Sequence, residues 1–162
     1  MLLSAATGDG DVLRWVEVGT QLLLVFGVFF AAFQVRLARL ASLLAAEESL
    51  ANARARYVDT KRELELLNVR FEIALDGDEV ATAEQLLGER TVRVAHLKEV
   101  YTQFLNRLDR ICASVKRREL SRRHAREDYA EMVEAACEDN PAIRTDGTHN
   151  NISSLYGRWF GR

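Results

Sequence analysis

Proline occurs once in 162 residues, at Pro141, cysteine twice and histidine three times. With so few proline breaks, and with Ala, Leu, Glu and Arg frequent, the composition excludes a turn-rich β fold and favours long helices. Cys112 and Cys137 form no CxxC and no secretory disulfide framework; they read as two small buried thiols facing a reducing cytoplasm. His96, His124 and His149 have no HxxxH or HExxH spacing. The chain also lacks GxxxxGK[ST], GxGxxG and GxSxG, so neither a phosphate cradle nor a nucleophile elbow can be read. Acidic pairs such as Glu63 and Glu65, or Glu127 and Asp128, fit solvated helix faces. A protein without enzymatic activity, cofactor or metal is expected.

Charge is missing altogether from Val18 to Val35, VGTQLLLVFGVFFAAFQV. At about 1.5 Å of rise per residue this stretch covers about 27 Å, close to the roughly 30 Å of a bilayer's hydrocarbon core. Trp15 at one end and Arg36 and Arg39 at the other suit the two interfaces, so residues 15–36 read as a transmembrane helix. Asp9 and Asp11 precede the first arginine, and the apolar run exceeds a signal peptide's core, so a retained helix is expected rather than a cleaved leader. Arg14 alone precedes the span, whereas Arg36, Arg39, Arg54 and Arg56 follow it. The positive-inside rule therefore puts residues 1–14 outside and the C-terminus in the cytoplasm of an inner-membrane protein. Gly27 and Ala31, one turn apart, would admit a close-packed neighbouring helix, with Gln21 and Gln34 able to hydrogen-bond across it.

No Gly or Pro separates Val35 from Asp76, so the span should continue as one helix. Leu43, Leu50, Tyr57, Leu64 and Phe71 recur every seven residues, with Ala46, Ala53, Thr60, Leu67 and Ala74 three places on. That is an a/d seam. Asp76-Gly77-Asp78 should end the helix, with Gly77 in the left-handed conformation and Asp78 capping the next helix. The second arm, from about Glu79 to Glu119, has its own seam at Val94, Leu97, Tyr101, Phe104, Leu108, Ile111 and Val115, and Gly88 marks a place for a kink. An antiparallel, coiled-coil-like hairpin is the expected result, although continuous heptads also permit a parallel dimer.

Ser121 is placed to cap a third helix whose apolar face is Ala125, Tyr129, Met132, Val133 and Ala136, ending before Pro141. After the turn-rich TDGTHNN come NISSLYGRWFGR, a short helix or extended tail. The fold class is thus all-α, with a cytoplasmic helical domain over residues 37–140 and an aromatic and basic segment over residues 141–162.

The net charge of −2 hides segregation: Lys116, Arg117, Arg118, Arg122, Arg123 and Arg126 crowd eleven residues against Glu119 alone, and the next thirteen hold six acids and no base. Anionic lipid is the partner favoured for the basic run, because an arm that leaves the membrane and returns would bring it to the headgroups. Solvent exposure alone is the bland alternative. Nucleic acid is less favoured, since no aromatics interleave with these cations and no DNA-binding motif surrounds them. Trp159 and Phe160, beside Arg158 and Arg162, suit the lipid interface too, or else a dock on their own domain.

The N-terminal span, the long charged helix, an internal LN-x-hydrophobic helix and the segment NPAIR resemble the uncharacterised bacterial and phage-borne membrane-anchored helical proteins grouped as a domain of unknown function. The resemblance implies a small inner-membrane protein and carries over no catalytic residue. The expected role is a membrane-anchored scaffold or accessory subunit that binds itself or another protein through its seams. The alternative is a membrane-tethered regulator or defence protein that contacts nucleic acid or anionic lipid through residues 116–126.

Overall fold

Ala, Leu, Glu and Arg are strong helix formers, and without proline the first helix, α1, runs from Gly8 to Asp76. The computed structural model describes the backbone of residues 8–77 and 79–161, and side chains from Trp15 onward. Three further α-helices follow: α2 at Val80–Lys116, α3 at Arg122–Asp139 and α4 at Asn150–Trp159, with a 3-10 turn at Pro141–Arg144. No strand occurs among the described residues. The chain divides into two compact units, Met1–Leu44 and Ala45–Arg162. The expected roles of residues 1–7, of Asp78 as a cap and of Arg162 in the tail lie outside the described residues, as does the side chain of Arg14.

The helix ends depart from expectation in instructive ways. α1 stops at Asp76, and the N–H groups of Gly77 and Glu79 donate to the carbonyls of Ile73 and Ala74, each at 3.0 Å. Gly77 does not adopt the left-handed conformation; among the described residues only Gly147 (φ 72°) and Arg118 (φ 63°) have a positive φ. α2 runs unbroken through Gly88, so tertiary packing and good helix formers on both sides absorb the glycine's penalty of about 1 kcal/mol. α3 begins after Ser121, whose side chain makes no capping bond, and it ends at Asp139 because Pro141 restricts the residue before it.

Within Ala45–Arg162 the core gathers around the C-terminal half of α2. Leu108, Ile111 and Val115 of α2 pack with Val133 of α3, Ile143 of the 3-10 turn and Ile152 of α4. α2 packs on both α3 and α4, and α3 also packs on α4. Along α1 the seam residues Leu50, Ala53, Thr60 and Ala74 are buried and Tyr57, Leu64, Leu67 and Phe71 half-buried, while the residues between them, such as Arg54, Arg62 and Leu66, are exposed. These α1 residues meet α2 in opposite chain order. The Tyr57 ring lies 5.0 Å from Tyr101 and 5.9 Å from Phe104, Glu63 pairs with Arg93 at 2.8 Å, and Arg90 sits 5.7 Å from the Phe71 ring.

Candidate functional site

Two surfaces carry the residues the sequence singles out, and each belongs to one unit. The first is the apolar stretch of α1. Its most apolar window has a mean hydropathy of 1.9 and none of it is buried. Leu23, Phe26, Phe29 and Phe30 are all more than half exposed, with Phe29 at 71%. Ala31 is exposed, and nothing lies within 4 Å of where a Cβ on Gly27 would stand. Among the described residues of Met1–Leu44, nothing is packed against Gly27. Thr20, the hydroxyl within the stretch, donates to the carbonyl of Val16 at 2.8 Å, which satisfies it inside its own helix.

The second surface is the basic junction between α2 and α3. Lys116 is the last residue of α2, and the chain then leaves the helix through a left-handed residue. The Arg118 N–H donates to Val115 O at 3.2 Å and the Glu119 N–H to Ser114 O at 3.0 Å, the paired closing bonds of a Schellman cap. Glycine is the usual occupant of that central position because a Cβ costs roughly 1–2 kcal/mol there. Here it is an arginine. The backbone at the cap thus holds the Arg118 side chain out of the helix, where it is exposed beside Arg117.

The remaining cations start α3. Arg123 pairs with Glu127 at 3.4 Å, but with side chains 88% and 60% exposed the pair is worth little. The guanidinium groups of Arg117, Arg118 and Arg122 make no hydrogen bond or ion pair among the described residues. Arg126 reaches across to α4 and donates to the backbone carbonyl of Trp159 at 3.3 Å. The structure therefore joins the basic run to the aromatic C-terminal segment. Trp159 and Phe160 are half-buried against the core, with Phe160 5.3 Å from Tyr156 and Arg144 4.5 Å over the Tyr156 ring.

Two polar contacts that sequence reasoning missed hold this region in shape. The Asp109 carboxylate on α2 accepts from the N–H groups of Asn151 and Ile152 and from Asn151 Nδ2, so a side chain on another helix caps the start of α4. The Tyr129 hydroxyl on α3 donates to Glu47 Oε1 on α1 at 2.9 Å. Burial, then that hydrogen bond, pushes the Tyr129 phenol well above its usual range. Leu105 and Cys112, apolar at a seven-residue interval just off the α2 seam, were the available signal that a further helix packs there.

Nucleophilic chemistry has little to work with. Cys112 and Cys137 are buried free thiols. Burial, with Asp109 adding to it, pushes Cys112 up to about 12, and burial also raises Cys137 despite the nearby Arg144. Thiolates are scarce under those conditions, and the thiols behave as small apolar groups. Among the described residues no three His, Cys, Asp or Glu side chains converge as a metal site would require. What the junction offers is several uncompensated guanidinium groups next to a half-buried indole. Compared with known protein families, curated proteins and solved structures, the chain matches none of them.

Proposed function

We propose that this protein is a single-span, membrane-anchored helical scaffold or accessory subunit that mediates protein association at the cytoplasmic membrane. One observation carries the reading: residues 18–35 expose a continuous, uncharged apolar surface, while Ala45–Arg162 encloses a core of its own. Such a surface is costly in water and favourable in lipid. The seams of α1 and α2 meet within the chain, so the association surface in this reading is the apolar residues that α2 leaves exposed toward the turn, Val80, Leu87 and Val94. By the arginine asymmetry about the span, the C-terminus is cytoplasmic and the membrane is the inner one. Kinship with membrane-anchored helical proteins of unknown function is part of the same proposal.

The test is purification of the full chain in mild detergent with mass measurement, after alkaline extraction of membranes. Retention in the membrane fraction and a mass above the monomer, or a stoichiometric partner, are expected. Extraction by carbonate overturns the anchor, and a lone monomer overturns the scaffold. A reporter fused after Arg162 should be cytoplasmic; protease protection placing it outside reverses the orientation.

A second reading rests on the free guanidinium groups of Arg117, Arg118 and Arg122: the junction binds anions, either lipid headgroups or nucleic acid. Salt-sensitive binding to anionic vesicles, lost when these arginines are neutralised, supports lipid contact. Salt-sensitive binding to DNA or RNA without vesicle binding supports a tethered regulator.

A further inference from the structure

α1 carries a second apolar stripe besides the seam it turns toward α2. Leu23, Phe30, Leu37, Leu44, Ala51 and Val58 recur every seven residues in one unbroken helix, with Gly27, Ala41 and Ala55 four places after the first, third and fifth of them. An interval of seven sustained over that length is a coiled-coil seam. Ala51, Ala55 and Val58 each stand two residues from a member of the α2-facing seam, Ala53, Tyr57 and Thr60, and at about 100° per residue that puts them about 160° around the helix from it. Burial agrees: Ala53 and Thr60 are buried, whereas Ala51 and Ala55 are exposed and Val58 is 52% exposed. Within Ala45–Arg162 the stripe borders an open groove of about 560 Å³ between α1 and α3, lined among others by Ala51, Ala55, Val58 and Met132. Within Met1–Leu44, Leu37 and Leu44 follow the charge-free stretch and are half or more exposed, Leu44 at 66%.

We infer that a second copy of the chain covers this stripe, the two α1 helices packing parallel and in register as a coiled coil about a two-fold axis. The inference rests on the single-span reading, in which both copies enter one membrane in the same sense and so present α1 in the same direction. It adds to the exposed residues of α2 a separate surface, where copies of the chain meet. Charge selects the occupant. In a parallel coiled coil the residue just before one core position lies beside the residue five places further along the other helix. With the stripe as core, that sets each Arg54 beside the other copy's Asp59. On one helix the two point about 140° apart and cannot meet. Both are exposed, and neither makes an ion pair among the described residues. The same rule sets Glu47 beside the other copy's Asn52, whose amide can donate to the Glu47 oxygen that Tyr129 leaves free. In the core, Gln34 meets Gln34 as a hydrogen-bonding pair within the apolar stretch, and Glu48 meets Glu48 as the one like-charged layer between Leu23 and Val58.

Other arrangements fit less well. An antiparallel pairing of α1 would point the two spans in opposite directions. Covering the stripe with the other copy's α2 needs Val80, Leu87 and Val94 at the height of Ala51 and Val58. Arg93 pairs with Glu63 and Tyr101 lies against Tyr57, so those three residues stand beyond Val58 toward the turn. A two-fold axis along the helices keeps equal residues at equal height, which leaves the exposed residues of α2 free for a different partner.

The experiment oxidises the full chain in isolated membranes, with single cysteines added at exposed positions and the buried Cys112 and Cys137 left in place. Ala51→Cys should form disulfide dimers, whereas Arg56→Cys, exposed but off the stripe, and Leu87→Cys, on α2, should not. In the Ala51→Cys background, Arg54→Glu alone or Asp59→Arg alone should lower the dimer yield on the order of tenfold, since each turns two attractive pairs repulsive. Combining the two in one chain should restore it, because every facing pair is then again of opposite sign. Glu48→Gln should raise the yield by removing the like-charged layer. Circular dichroism of the purified variants checks that each keeps its helicity, as exposed substitutions should. Cross-linking at Arg56→Cys or Leu87→Cys as strong as at Ala51→Cys overturns the stripe as the interface. Failure of the double variant to recover, or of Glu48→Gln to gain, overturns the parallel register. A complex above monomer mass without Ala51→Cys dimers overturns this inference and leaves the scaffold reading standing, whereas a monomer without partner removes both.

Discussion

Asp109 of α2 grips Asn151 of α4 with both carboxylate oxygens, Oδ1 accepting from the backbone N–H at 3.0 Å and Oδ2 from Nδ2 at 2.8 Å. The two residues are 42 apart in the chain. The contact anchors a ten-residue helix that would be marginal alone, since isolated helices of that length do not persist in water. Anchored there, α4 can bury Ile152 and Leu155 in the core and hold Trp159 where Arg126 reaches it.

Replacing Asp109 with Ala should therefore destabilise Ala45–Arg162 by about 1–3 kcal/mol, because three donors at the start of α4 lose a charged acceptor. Asp109→Asn should cost less, as one amide oxygen still accepts. The check is urea unfolding, with amide exchange at Ile152 rising before exchange in α3. Unchanged protection at Ile152 in Asp109→Ala would show that the cap is not what holds α4.

Arg118→Gly should stabilise the chain by about 0.5–1 kcal/mol. The left-handed cap position costs an arginine roughly 1–2 kcal/mol, and the greater freedom of glycine in the unfolded state returns part of that gain. Thermal unfolding measures it. A destabilised Arg118→Gly would mean that the arginine side chain makes a contact worth more than the strain. If the variant also loses affinity for anionic vesicles, the strained residue serves binding rather than folding.

Core truncations should grade with depth. Phe104, 6% exposed and stacked on Tyr57, should cost about 3–5 kcal/mol on replacement by Ala, and the fully buried Leu108 about 2–5 kcal/mol. Phe71 belongs to the same heptad pattern, but it is only half-buried near the turn, with the Arg90 guanidinium 5.7 Å from its ring, so its loss should cost visibly less. Arg54→Ala, at an exposed site, should stay within about 0.5 kcal/mol. Equal effects at Phe71 and Phe104 would show that the end near the turn is as fully packed as the bundle end.

Stability should fall in alkali. Cys112 and Tyr101 titrate near 12 in the folded chain, against ordinary values of 9 and 10. Between pH 9 and 12 the unfolded chain therefore releases protons that the folded chain keeps, so stability is full below about 9 and declines as pH rises through that window. Tyr129 and Cys137 are raised as well and act in the same direction. Urea midpoints at pH 8 and pH 11 test this, and Cys112→Ala should show a smaller drop between the two than the parent does. A flat profile would mean that these groups are solvated in the folded chain.

The order of apolar and charged residues along the chain determined by itself that the protein is all-α, that one stretch is long and apolar enough to cross a membrane, and that α1 ends at Asp76 and α3 before Pro141. Those features are local. A run of uncharged residues, a seven-residue interval or the steric demand of proline acts through neighbours within one or two turns, and needs no knowledge of the rest of the fold. The same locality misplaced Gly77, which was given a left-handed role that the chain assigns to Arg118 at the other end of α2. There the reversal into α3 sets the backbone, and the side chain adapts.

Only the tertiary structure decided which half of α2 is enclosed. The interval of seven runs evenly from Val80 to Val115, yet Val80, Leu87 and Val94 stay in solvent while Leu108 and Val115 are buried. The difference comes from where α4 docks, fixed by Asp109 meeting Asn151 across 42 residues, a pairing that no periodicity encodes. The meeting of Arg126 with Trp159 and of Glu47 with Tyr129 has the same origin. Each joins residues far apart in the chain, and the hydrogen bond exists only once the apolar faces have packed and excluded the water that would otherwise satisfy both partners.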